Sequence, residues 1–142
     1  MNNRLVNILL VDDDRVDVMA VKRAFRNLKI ANPVTEARDG IDALRCLRGE
    51  SDSAPLPLPH LVLLDLNMPR MGGLQFLEEL RKDPLLHPTL VFVMTTSAAE
   101  EDRMRAYAFN IAGYVLKYRI GESFMEAISM LQHYWRLIEF PD

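Results

Sequence analysis

Apolar residues enter this chain in five short clusters, at positions 5–11, 34–37, 61–65, 90–94 and 113–116. Each is rich in Val, Ile, Leu or Phe and has the length of a strand. The segments between them carry helical spacing instead. Val18, Val21, Phe25 and Leu28 form one stripe after the first cluster, Leu74, Leu77 and Leu80 another after the third. Phe124, Ile128, Leu131 and Trp135 form a third stripe after the fifth. After the fourth cluster, Ser97-Ala98-Ala99-Glu100 reads as a helix start with Ser97 as N-cap and Glu at the third helical position. Strands alternating with helices predict an α/β domain, a parallel sheet covered on both faces. The second cluster, Val34-Thr35-Glu36-Ala37, carries polar residues and suits an edge. Right-handed crossovers then favour a doubly wound five-stranded sheet in the order 2-1-3-4-5. Residues 49–59 break the rhythm with three prolines and no periodicity, the pattern of a surface loop.

Composition adds boundaries to this picture. A length of 142 residues fits one domain, and 49% hydrophobic with 26% charged residues is an ordinary globular mix. Net charge is −3 with no basic tract, which argues against nucleic-acid binding. No apolar stretch approaches the roughly 20 residues of a membrane span, and none resembles a secretion signal. A cytoplasmic protein is expected. The single cysteine, Cys46, sits among Ala43, Leu44 and Leu47 and reads as a packing residue on a helix face. His60, His87 and His133 have no metal-ligand spacing and are expected on the surface or in loops.

Placed on that frame, the polar residues converge. Asp12, Asp13 and Asp14 follow the first strand, Asp65 ends the third, Thr95 and Thr96 the fourth, and Lys117 the fifth. All lie at the carboxyl edge of the sheet, where open α/β folds keep their sites. In the order 2-1-3-4-5 the first and third strands are neighbours, so Asp12 and Asp13 face Asp65. Carboxylates gathered this way repel unless cations intervene. Lys117 supplies one charge and a hard divalent ion, Mg²⁺ with Mn²⁺ as the alternative, supplies two. The expected protein ligands are Asp13 and Asp65 directly, Asp12 through water and the backbone carbonyl of Asn67. Asp65 is then the phosphoryl acceptor, with Lys117 and the Thr95 hydroxyl contacting phosphoryl oxygens. Asp14 is expected to cap the following helix.

The stretches ILLVDDD at 8–14, LVLLDLNMPRMGG at 61–73, VFVMTTS at 91–97 and GYVLK at 113–117 closely resemble the receiver domain of two-component response regulators. Thr95 follows Asp65 by 30 residues and Lys117 follows Thr95 by 22, as in the chemotaxis receivers. The resemblance covers nearly the whole chain. It implies a flavodoxin-like, CheY-like single receiver domain over residues 1–142, with an extended C-terminal helix and tail from about 121. It also implies that Asp65 is phosphorylated by a histidine kinase, that Thr95 turns toward the phosphoryl group, and that Tyr114 changes rotamer with it. Asn67 stands where the family tunes dephosphorylation. One departure is Tyr118, where receivers usually carry proline after the lysine, often with a cis peptide; cis costs roughly 3 kcal/mol more before tyrosine.

The proline-rich insertion and the ending HYWRLIEFP at 133–141 resemble the single-domain regulators paired with bacterial and cyanobacterial phytochromes. A phytochrome-type kinase is the implied partner. The last helix also carries a second apolar stripe of Met130, Tyr134 and Leu137, and a helix apolar on two faces needs two burial partners. With Phe140, these residues are expected to form a homodimer interface; the alternative is a tail folded back on its own domain. No output domain is expected after the last helix, so the signal is expected to leave by protein contact or onward phosphotransfer, unless the protein serves to drain phosphate from a kinase. A competing function is a Mg²⁺-dependent phosphohydrolase with an aspartyl-phosphate intermediate. That chemistry needs an acid two residues after the nucleophile, and Asn67 occupies the position. A flavodoxin-type nucleotide binder would need a glycine-rich loop after the first strand, where this chain has carboxylates.

Overall fold

The computed structural model describes residues 5–50, 54–117 and 122–141, and within the last span not the side chains of 122–125 and 127. Tyr118, the Phe124 side chain and residues 51–53 of the proline-rich loop therefore lie outside the described residues. The elements run β1 (Asn7–Val11), α1 (Arg15–Asn27), β2 (Val34–Ala37), α2 (Gly40–Arg48), β3 (His60–Leu64), α3 (Gly73–Lys82), β4 (Leu90–Thr95), α4 (Glu100–Ala108), β5 (Gly113–Leu116) and α5 (Glu122–Leu137). The strands form one parallel sheet in the order β2-β1-β3-β4-β5. This is the doubly wound arrangement read from the alternation of clusters and stripes.

Period-two alternation divides the central strands between two cores. Ile8 and Leu10, Leu61 and Leu63, and Phe92 and Met94 face one side, against Val18, Val21, Ala24 and Phe25 of α1 and Ile128, Leu131 and Trp135 of α5. Leu9 and Val11, Val62 and Leu64, and Val91 and Val93 face the other, against α2, α3 and Ala106 of α4. β3 is buried along its whole length, which explains its unbroken hydrophobicity. β2 is only half-buried, as its polar composition requires of an edge strand. Each fully buried Leu, Ile or Phe contributes about 1.5–3 kcal/mol of transfer free energy. Cys46 is partly buried against the second core, in keeping with a packing role.

Register delivers the site. Val11 pairs with Leu64 and Leu64 with Val93, so β1, β3 and β4 end side by side. The amide of Asp65 donates to the Val11 carbonyl at 2.9 Å and that of Asp12 to the Ala37 carbonyl at 3.0 Å. The ladder thus continues one residue past the strands and fixes both backbones. Arg81 ties the opposite edge, where its guanidinium donates to the carbonyls of His87, Thr89, Phe109 and Asn110 at 2.6–3.2 Å.

Two expectations are corrected. Ala99, not Ser97, is the N-cap of α4. The Ser97 hydroxyl donates instead to Asp102 at 2.6 Å, and its carbonyl receives the Tyr114 hydroxyl at 2.8 Å, so both oxygens serve the β4–α4 loop. His60 is not a surface residue: it opens β3 and is buried, with its ring Nδ1 3.3 Å from the Leu56 carbonyl. Burial lowers its pKa and favours the neutral ring. His87 and His133 are exposed as expected.

Packing of this kind predicts unequal costs for truncation. Phe76→Ala empties a position that is 0% exposed and should cost about 3–5 kcal/mol, whereas Leu85→Ala, at a side chain 88% exposed, should stay within about 0.5 kcal/mol. Urea unfolding monitored by circular dichroism reads both; equal midpoints for the two variants would contradict this core.

Candidate functional site

Three consecutive aspartates leave β1 with three different fates. Asp14 turns back to cap α1, its carboxylate accepting the amides of Val16 at 2.9 Å and Asp17 at 3.3 Å. Asp12 is buried, and one of its oxygens accepts the Asp14 amide at 2.9 Å. Asp13 is exposed at the rim. Asp65 follows β3 directly and is buried beside them. One oxygen from each of Asp12, Asp13 and Asp65 lies within 4.8 Å of the others.

Lys117 reaches this group from the end of β5 and is itself buried. Its ammonium donates to Asp12 Oδ2 at 2.6 Å and to Asp17 Oδ2 at 2.9 Å, and it stands 3.5 Å from Asp65 Oδ2. Burial pushes the Asp12 carboxyl up to about 6 against the pull of Lys117. Burial raises Asp65 as well, again opposed by Lys117. For Lys117 burial works the other way, yet its bonds to Asp12 and Asp17 outweigh it and raise its pKa, so the ammonium stays charged. One ammonium thus faces three carboxylates, with Asp13 at the rim as a fourth negative charge, and the pocket keeps an excess of negative charge. Asp65 Oδ1 is buried with no hydrogen-bond partner among the described residues. An all-oxygen donor set with such an orphan suits a hard divalent cation and an incoming phosphoryl group.

The loop after Asp65 is braced from below. Arg70 holds a left-handed conformation (φ 59°) and its guanidinium donates to the buried carboxylate of Asp39 at 2.6 Å. The Gly40 amide donates to the Met71 carbonyl at 2.9 Å. Gly73 is required at the start of α3, because a Cβ there would come within 2.5 Å of the Asp65 carbonyl. Asn67 sits exposed at the top of this loop. On the far side, Thr95 closes β4 fully buried, its Oγ accepting the Ser97 amide at 3.3 Å. Tyr114, half-buried on β5, donates its hydroxyl to the Ser97 carbonyl, so Thr95 and Tyr114 hold the same turn.

Asp12, Asp13, Asp65, Thr95 and Lys117 are thus gathered at one edge, with Asn67 above them and Tyr114 on the adjoining loop. Two parts of the assembly escaped sequence reasoning. Asp17 falls in the first turn of α1, where an acidic residue serves any helix dipole, and nothing local aims it at Lys117. The Arg70–Asp39 pair joins residues 31 apart, for which spacing gives no signal. The C-terminal candidates differ in exposure: Met130 and Leu137 are open, while the ring of the partly exposed Tyr134 meets Phe92 in a T-shaped contact at 5.1 Å. Phe140 packs partly against its own core. A cavity of about 410 Å³ lies at the opposite edge of the sheet, walled by apolar residues such as Leu47, Leu86 and Phe140. A separate small void of about 10 Å³ lies beside the Lys117 ammonium, lined by Asp12, Asp17 and Asp65 together with Val21 and Met94.

Comparison with known proteins agrees with this geometry. Residues 8–129 match the family model of the response regulator receiver domain. The probable methanogenesis regulatory protein FilR2 of Methanothrix harundinacea is 33% identical over 128 residues, 90% of this chain and 82% of that protein. Response regulator Rcp1 of Synechocystis is 30% identical over 90% of this chain and 87% of its own length. A crystal structure of the Mn²⁺-bound form of response regulator Rcp1 superposes with a TM-score of 0.84 at 30% identity, covering 96% of this chain and 99% of that one. The phosphorylated cyanobacterial phytochrome response regulator RcpA superposes with a TM-score of 0.88 at 29% identity over 98% of this chain and 100% of that one. With the motif carboxylates and lysine meeting at the carboxyl edge of a 2-1-3-4-5 sheet, the chain belongs to the receiver domains of two-component response regulators.

Proposed function

We propose that this chain is a single-domain phosphorylation switch in which Asp65 accepts a phosphoryl group from the phosphohistidine of a phytochrome-type histidine kinase. The observation that carries the reading is the buried Asp65 carboxylate, whose Oδ1 has no hydrogen-bond partner among the described residues while its Oδ2 lies 3.5 Å from the Lys117 ammonium, next to the carboxylates of Asp12 and Asp13. Asp13 and Asp65 would hold Mg²⁺ or Mn²⁺ directly, Asp12 through water and Asn67 by its backbone carbonyl. When bound, the ion supplies charge neutralisation for the phosphoryl oxygens. The similarity to the Mn²⁺-bound Rcp1 and the phosphorylated RcpA supports the reading that a divalent ion and a phosphoryl group are the ligands here.

The chemistry asked of the protein is mostly positioning. An Asp65 oxygen attacks phosphorus as the bond to the imidazole nitrogen breaks, and the electron pair stays on that nitrogen. Lys117 meets the charge gathering on one phosphoryl oxygen, and the Thr95 hydroxyl can donate to another once it turns. That turn would break the contact with the Ser97 amide and loosen the loop that Tyr114 holds. The signal would thereby reach the half-exposed side of α4, where Met104 and Tyr107 are open. Asn67 leaves the site without the acid of a phosphohydrolase, which favours a lasting adduct over turnover. Residues 1–142 fit one receiver unit acting in the cytoplasm, with an extended helix and tail from about 121.

The tail supports a homodimer. Leu137 and Met130 lie open on α5, next to the partly exposed Tyr134, and apolar side chains aligned on one helix face favour a second copy. Phe140 would contribute its remaining open edge.

Three outcomes are expected. Acetyl phosphate with Mg²⁺ should add one phosphoryl mass to Asp65, and Asp65→Asn should abolish it; fast multiple turnover of phosphoesters would instead mark a hydrolase. Divalent-metal affinity, followed by calorimetry, should fall as pH drops through about 6, because Asp12 takes a proton there in the metal-free protein. A flat affinity from pH 7 to 5 would remove Asp12 from the metal group. Light scattering at tens of micromolar should report a dimer that Leu137→Glu with Met130→Glu dissociates; a monomer at high micromolar, phosphorylated or not, would end the dimer reading.

A further inference from the structure

Among the described residues, the Lys117 ammonium has three carboxylate neighbours, and they are not equivalent. Asp12 at 2.6 Å and Asp17 at 2.9 Å take the short hydrogen bonds, while Asp65 at 3.5 Å makes only the longest and weakest of the three ion pairs. An ammonium carries three N–H donors. Two are committed to α1 and the β1–α1 turn, and the nearest remaining acceptor is Asp65. We propose that Asp17 is a positioning residue for phosphoryl acceptance: with Asp12 it clasps the Lys117 ammonium so that one N–H stays free beside Asp65.

This inference rests on the reading of Asp65 as acceptor and adds the part played by the first turn of α1. Asp17 is absent from the trio of carboxylates that could share an ion, so its hold on Lys117 does not depend on the metal. Asp12 does belong to that trio and cannot be the sole tether of a side chain with four rotatable bonds. Asp17 also sits where the helix dipole favours a carboxylate, and its amide is bonded by the Asp14 cap, so its backbone is fixed. Without Asp17, Nζ gains a second free N–H and closes the gap to Asp65 Oδ2. The nucleophile is then tied up by the group meant for the phosphoryl oxygen, and a preorganised contact becomes a competing one.

The test uses the full chain with three readouts: the rate of Asp65 phosphorylation by acetyl phosphate at saturating Mg²⁺, Mn²⁺ affinity from the electron paramagnetic resonance of free Mn²⁺, and reductive methylation of Lys117 by peptide mass. Asp17→Asn should slow phosphorylation about tenfold and leave Mn²⁺ affinity within about threefold. Lys117 should also be methylated several-fold faster, because an Asn oxygen accepts only a weaker, uncharged hydrogen bond in place of the ionic tether. Asp14→Asn makes the same charge change in the same turn, keeps an N-cap and touches no lysine; it should match the wild type in all three. If Asp17→Asn melts below the assay temperature, Asp17→Ser, which suits a first helical turn, takes its place. An unchanged rate in the Asp17 variant, or equal slowing by Asp14→Asn, would overturn the clasp. A wild type that takes no phosphoryl group would overturn the acceptor reading beneath it.

Discussion

The carboxyl edge of this sheet is organised by one ammonium set among carboxylates that have little water to rely on. Removing a charge from water costs several kcal/mol unless a partner compensates, and here each partner supplies the compensation for another. Asp12 and Lys117 are both nearly inaccessible and meet at 2.6 Å. Their contact joins the end of β1 to the end of β5 across two intervening strands, and Asp17 extends it into α1. The pairing is incomplete, because Lys117 cannot neutralise Asp12, Asp17 and Asp65 together. That shortfall gives the pocket its appetite for a cation and for a phosphoryl group brought with one.

Around this centre the backbone does the placing. Strand register sets Asp12 beside Asp65, and the ladder bonds running one residue past β1 and β3 keep both there. Gly73 lets the start of α3 lie directly on the Asp65 carbonyl, while the Arg70–Asp39 pair holds the intervening loop. Asp65 is therefore held from three sides. The β4–α4 loop, by contrast, depends on a few polar contacts through Thr95, Ser97 and Tyr114, and α4 buries only Ala106. Rigidity around the carboxylate and looseness beside it are what a local charge change needs in order to bias a neighbouring surface.

The C-terminal helix shows why a second apolar stripe has more than one structural solution. Tyr134 turns its ring edge onto Phe92 and Phe140 packs partly on the core, so part of the predicted outer stripe is absorbed by the same domain. Met130 and Leu137 are not. Sequence spacing assigned Met130, Tyr134 and Leu137 to one face, but a large aromatic can reach around a helix to a neighbour that an aliphatic side chain cannot touch.

Most of the architecture and the core of the site were legible in the chain itself. Continuous apolar runs named the buried strands, helical stripes named the covering helices, and crossover handedness ordered them, because periodicity and chirality act locally. Asp12, Asp13, Asp65, Thr95 and Lys117 could be found because each sits at the end of a strand, a position the sequence marks. Ser97 was read as a cap because its local pattern is that of one; a tyrosine from another strand and Asp102 claimed its oxygens instead. His60, lacking metal-ligand spacing, was expected on the surface or in a loop, yet ladder pairing drew it into β3. Asp17 and the Arg70–Asp39 brace depend on distances between elements far apart in sequence. The chain alone determined which groups reach the carboxyl edge. Which of them touch, and that Lys117 leans toward Asp12 and Asp17 before Asp65, only the packed helices and the buried charges could decide.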